Sequence, residues 1–169
     1  MSLIPLREET LVALVPGDRA AASRAQGLQI PAEFTAGDGS DGFFLRVQLE
    51  RIRANPEERA WCVRAMVRRA DGAMVGHCGF HGPPRVVGRA EIGYTVFPAF
   101  RGQGLATEAA AALVAWAWER GERTVFAAVA PSNLESLAVV HKLGFLQTGV
   151  QVDDVDGDEL VFEISAPAI

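Results

Sequence analysis

A chain of 169 residues with a net charge of −5, its Lys and Arg scattered among acids, is a poor partner for nucleic acid. An acidic surface suits a cationic, amine-bearing ligand better. At this length a single domain over residues 1–169 is expected, and no uncharged apolar run reaches the ~18 residues of a membrane span and no signal-peptide pattern opens the chain, so a cytoplasmic protein is expected.

Thr10 to Val15 is a short apolar run closed by Pro16-Gly17 and reads as the first strand. Asp18 is placed to cap a helix starting near Arg19. Gly27 to Gly42 is rich in Gly and Asp and reads as loop, whereas Phe43 to Ala54 carries Phe44, Val47 and Arg51 on one side as an amphipathic helix. Trp61 to Arg69 alternates Trp61, Val63, Ala65 and Val67 against Cys62, Arg64, Met66 and Arg68, and Asp71-Gly72 turns it into a second strand, Met74 to Phe80. Cys62 and Cys78 fall in these strands and read as buried free thiols. His77 and His81 share a strand face, but four strand residues span ~13 Å, too far for one ion, so no metal is expected. His81 opens a loop just before Glu91 and is either a substrate-pocket residue or a surface histidine.

The chemistry gathers in residues 90 to 121. Glu91 to Phe97 is a strand closed by Pro98; Arg101 to Thr107 is a glycine-bearing turn; Leu105 to Arg120 is a helix of strong helix formers stopped by Gly121, apolar almost all round and hence expected to be buried. Gly102 and Gly104 remove two Cβ atoms, so backbone N–H groups and the helix N-terminus can converge on an anion. A Walker loop would need Gly-Lys-Ser/Thr, and a dinucleotide fingerprint an acid ending the next strand. Neither is present: the turn has no lysine, and Thr124 to Val129 ends in Ala130-Pro131. Ser132 with Glu135 three residues on forms a capping box for a helix from Asn133, with Leu134, Leu137, Ala138 and His141 along one stripe and Gly144 ending it. Phe145 to Val152 and Leu160 to Ile164 pair as a hairpin across the acidic stretch Asp153 to Glu159, which either steers a cationic acceptor through Asp153 and Asp154 or is a solvated turn.

Arg-x-x-Gly-x-Ala at Arg101 to Ala106, after the strand Glu91-Ile92-Gly93-Tyr94 and followed by Asn133-x-x-Ser136 and Lys142-Leu143-Gly144-Phe145, resembles the Gcn5-related N-acetyltransferase (GNAT) superfamily. The wording is nearest the ribosomal-protein (RimJ/RimL-like) branch, and the resemblance covers about residues 60 to 165. It implies an α/β fold with a mixed, mostly antiparallel sheet of about seven strands, flanking helices, and a cleft where strands 4 and 5 splay apart. It also implies a pyrophosphate of acetyl-coenzyme A held by Arg101, Gly102, Gln103, Gly104, Leu105, Ala106 and Thr107, with Val96 backbone groups polarising the thioester and Asn133 meeting the pantetheine arm.

Acetyl transfer to an amine needs a neutral amine, a polarised carbonyl and a proton for the departing thiolate. Glu91 is the expected base, directly or through water. Many relatives carry a tyrosine seven residues after the asparagine of the second helix; here that position is Val140, which leaves Ser136 as proton donor or thiol contact. Direct transfer in a ternary complex is expected because no placed cysteine invites a covalent intermediate, with a protein N-terminus or a small amine as acceptor, and by analogy the resemblance allows a homodimer. A non-catalytic coenzyme A-binding sensor is the alternative that Val140 keeps open.

Overall fold

The computed structural model describes residues 1–34, 40–82, 84, 88–153 and 157–167. Its first strand, β1, is Ser2–Pro5 and not Thr10–Val15, which lies in and just after the helix α1, Glu8–Leu14. A short continuous apolar run fits either element. Here Glu8 and Glu9 stand in the first turn, where the helix dipole favours acids, and Thr10, Leu11 and Leu14 are buried at helical spacing. Gln26 ties this corner together: its Oε1 accepts from Thr10 Oγ1 at 2.8 Å and Arg7 N at 3.1 Å, while its Nε2 donates to the Pro5 carbonyl. Helix α2, Arg19–Gln26, is capped by Asp18, which accepts from Ala21 N at 2.9 Å, and ends on Gly27 at φ 69°. Helix α3 runs from Ser40 to Ala54.

After a 3-10 turn at Pro56–Trp61 come β2, Arg64–Val67, β3, Met74–Phe80, and β4, Ala90–Val96. Trp61 therefore belongs to the turn, Cys62 lies ahead of the strand, and β2 is shorter than its alternation suggested. The alternation marks no inside and outside, because all four residues of β2 are buried. Helix α4 is Leu105–Trp118, β5 is Thr124–Val129, α5 is Leu134–Lys142, and β6, Leu146–Asp153, pairs antiparallel with β7, Gly157–Ser165. Asp154, of the stretch read as either acceptor-steering or a solvated turn, lies outside the described residues, as does the side chain of Asp153.

The seven strands are ordered β1-β2-β3-β4-β5-β7-β6, antiparallel throughout except for β4 and β5. That parallel pair is joined only at Ala90↔Val125 and Glu91↔Phe126. Beyond it the strands part, leaving Ile92–Val96 without β5 partners. One core, under α4 and α5, takes Ala90 and Ile92 of β4 together with Leu113, Val125 and Phe162; the other, under α1 to α3, takes Leu11, Phe34, Leu45 and Phe97. Helix α4 is buried along Ala109, Ala110, Leu113, Val114 and Ala117 only. Ala111, Ala112 and Ala115 face outward, where a single methyl group costs little, so apolar composition overstated its burial. In α5 the core residue is Val140 and not the expected stripe, since Leu134 is 71% exposed.

Arg64, 4% exposed, is the outlier of β2. Its Cζ lies 4.4 Å from the Trp116 ring centroid and 5.3 Å from that of Phe80, its Nη2 donates to the Ala60 carbonyl, and its buried Nη1 has no hydrogen-bond partner among the described residues. Arg120 also lies on Trp116, at 3.6 Å. Burial lowers the Arg64 pKa, and the charge is carried chiefly by aromatic faces. Trp116→Ala is therefore expected to destabilise the fold by about 3 kcal/mol or more, through lost packing and a stranded cation. Arg64→Met, which removes the cation along with its need for a partner, is expected to be neutral or stabilising. Urea midpoints check both, and the account fails if Arg64→Met is the more damaging of the two.

Candidate active site

Where β4 and β5 part, three cavities meet. One of about 570 Å³ lies over the turn before α4, one of about 290 Å³ fills the gap between the strands, and one of about 180 Å³ opens on the side of α3. Tyr94 and Thr95 border all three. The N–H of Phe97 bonds to the Val75 carbonyl of β3, so by strand alternation the N–H groups of Tyr94 and Val96 point the other way, into the gap.

The largest cavity is floored by the Arg101–Thr107 turn. Gly102 and Gly104 sit at φ 73° and 76°, a region other residues enter only under strain, and among the described residues no atom beyond the immediate chain neighbours lies within 4 Å of where a Cβ on either would project. Gly104 caps α4 without a side-chain bond, so the first N–H groups of the helix, at Leu105, Ala106 and Thr107, are left to whatever enters the cavity. Arg101 donates from Nε to the Val96 carbonyl at 3.1 Å, which fixes the turn against the strand end and keeps the guanidinium at the cavity wall. These features fit a diphosphate. Across the cavity stand Asn133 and Ser136. Asn133 is the cap of α5, its Oδ1 accepting from Ser136 N at 3.0 Å, so the expected capping box from Ser132 does not form. Of the expected cofactor residues, only Gln103 is not on the cavity wall.

On the far face of β4, Glu91 borders none of the cavities; its carboxylate instead reaches His81, Oε1 to Nδ1 at 3.3 Å. His81 borders both smaller cavities. Gly93 makes room for it, because a Cβ there would sit 2.5 Å from the imidazole Nε2. Burial alone would lower the His81 pKa, but the hydrogen bond and charge of Glu91, with Glu159 behind, outweigh it and hold the imidazole above its ordinary value. A raised value means that the pair's contribution to stability is complete below the ordinary histidine pKa and fades as pH climbs through the raised one. Glu159 enters the gap from β7, its Oε2 accepting from Gln151 Nε2 at 3.0 Å. Phe44 and the buried His77 complete the small cavity, their rings 5.8 Å apart. Glu159 and Phe44 were not singled out as site residues: Glu159 closes the acidic stretch in which Asp153 and Asp154 were named as the steering pair, and Phe44 was read only as an apolar position on one side of a helix.

Residues 3–146 match the profile of a family described as Acetyltransferase (GNAT) domain. Over 80 residues the chain is 36% identical to "Putative ribosomal N-acetyltransferase YdaF" of Bacillus subtilis (strain 168), a match covering 47% of this chain and 44% of that relative. The chain thus spans less than half the length of that curated relative. Among solved structures, an acetyltransferase from Agrobacterium tumefaciens str. C58 superposes with a TM-score of 0.63 at 24% identity, covering 97% of this chain and 90% of that one. A chimera of the spermidine N-acetyltransferase SpeG from Vibrio cholerae with hSSAT gives 0.66 at 13% identity, over 98% and 96% of the two chains. At those identities the likeness is one of fold.

Proposed function

Since this chain belongs to the GNAT acetyltransferase family, we propose that it transfers an acetyl group from acetyl-coenzyme A directly to a primary amine, a protein N-terminus or a small amine. The observation that carries this reading is the open cradle of Gly102, Gly104 and the α4 N-terminus, facing the parted strands within one connected cleft. Bound there, the cofactor supplies the activated acetyl thioester. The N–H groups of Leu105 to Thr107 and the Arg101 guanidinium hold its phosphate charge, and the N–H groups of Tyr94 and Val96 polarise a carbonyl placed in the gap.

The amine approaches from the α3 side, where Phe44, His77 and Gly93 leave a small slot and Glu91 and Glu159 supply negative charge. His81 is the group that meets it. Glu91 acts as base through His81, orienting Nδ1 and raising the basicity of the ring, so that Nε2 takes a proton from the ammonium. Direct transfer suits the thiols: burial pushes Cys78 up to about 12 and Cys62 to about 11, leaving little thiolate for a covalent route. A single domain acting in the cytoplasm is part of the same proposal.

The test is thiol release on mixing the protein with acetyl-coenzyme A and a panel of peptide N-termini and small amines. Turnover with at least one primary amine is expected; absence of turnover in a protein that binds coenzyme A sinks the proposal. Glu91→Gln is expected to lower kcat and to move the NMR titration midpoint of His81 downward, since the charge and hydrogen bond that raise it are gone. An unmoved midpoint with full kcat would make Glu91 a plain strand residue.

A further inference from the structure

We propose that Tyr94 is the acid that protonates the departing sulfur, an inference that rests on the acetyl-transfer reading. Three observations place it there. Tyr94 is on β4 and carries one of the two N–H groups that face the gap, yet its side chain is on the opposite face from Glu91 and His81, so acid and base stand on the two sides of the sheet opening. Its hydroxyl crosses the gap to α5, donating to the Ser136 carbonyl at 3.4 Å, too long a contact to hold the proton firmly. The cavity behind it is the one that holds the cradle. The helix position one turn further along α5, Val140, is 1% exposed and turned into the core, so it offers nothing to the site.

The step balances as follows. The amine nitrogen forms its bond to the acetyl carbon, the C–S bond breaks with its electron pair on sulfur, and the Tyr94 O–H proton passes to that sulfur. The tyrosine oxygen regains a proton from the nitrogen, which sheds one on becoming an amide. The other ammonium proton has already left through His81. Burial, only partly offset by the Ser136 contact, raises the Tyr94 pKa, so the phenol stays loaded with its proton through the neutral range. Around it stand His77 and Cys78 of β3, His81 beyond β3, Arg101 of the turn, Glu135 of α5 and Glu159 of β7.

The chain has a single tyrosine, so growth on 3-fluorotyrosine changes this phenol alone. In fluorine NMR, coenzyme A is expected to shift the Tyr94 signal and its titration midpoint more than desulfo-coenzyme A does, because only the former brings a sulfur to the phenol. Tyr94→Phe is expected to lose roughly 10²-fold in kcat with unchanged coenzyme A affinity. The alkaline fall of the rate should vanish in Tyr94→Phe and move to lower pH in the fluorinated protein, whose phenol is more acidic. Equal fluorine shifts with the two ligands overturn the proposal even without turnover, and so does a Tyr94→Phe enzyme with near-full kcat while Ser136→Ala is crippled. A protein that binds coenzyme A and shows the sulfur-dependent shift but acetylates no amine would instead sink the acetyl-transfer reading.

Discussion

His81→Gln is expected to lower kcat by roughly 10²–10⁴-fold while coenzyme A affinity stays as it was, because in the proposed reaction the imidazole meets the amine and the cradle lies on the other side of the sheet. The pH profile separates this from a packing effect. In the unaltered enzyme the base must be neutral, and Glu91 holds its proton on, so the rate should rise through a midpoint above the ordinary histidine value of about 6.5. Without the imidazole the rate should climb with the pKa of the free amine, since only amine already neutral in solution can react. If the variant keeps its rate and its midpoint, the base is elsewhere, and Glu159, which shares the gap, is the next residue to change.

Gly104→Val is expected to raise the dissociation constant for coenzyme A by about 10²-fold or more, equivalent to roughly 3 kcal/mol. The branched side chain would project into the space that Gly104 now leaves open at the N-terminus of α4, and would cover the N–H groups offered there. The positive φ of the residue adds a strain of about 1–2 kcal/mol, so a modestly lower melting temperature should accompany the loss. Calorimetry on folded protein decides it. Unchanged affinity would remove the diphosphate from this turn.

What could be read from the sequence was what local chemistry dictates. The turn from Arg101 to Thr107 needs its glycines wherever it occurs, and the structure shows them at positive φ against an open cavity. Glu91 was expected to act as the base, and the proposal that it works from behind His81 rests on the β3–β4 register, which sets His81 opposite Glu91 with its N–H on the Glu91 carbonyl, a register that neither strand's own sequence fixes. β1 was missed for a similar reason: a four-residue edge strand has little signal of its own, and its partner, Arg64–Val67, lies far along the chain. The Asn133 cap was displaced by one residue because Ser132, Asn133 and Glu135 satisfy two capping patterns at once, and only the observed bond from Ser136 N chooses between them. Tyr94 was visible as the lone tyrosine, but its reach to α5 follows from the parting of the strands.

The two rungs between β4 and β5 bear on how the chain folds. Strands β1 to β4 all lie within residues 2–96, and β5 to β7 within residues 124–165, so each half of the sheet is assembled from one continuous stretch. In the amino-terminal half consecutive strands are antiparallel neighbours, whereas the seam between the halves is parallel and must wait for α4 to span it. The amino-terminal half can therefore pair as it leaves the ribosome, with the carboxyl-terminal half docking afterwards. The place where the halves meet last and least is where the proposed acetyl transfer is placed.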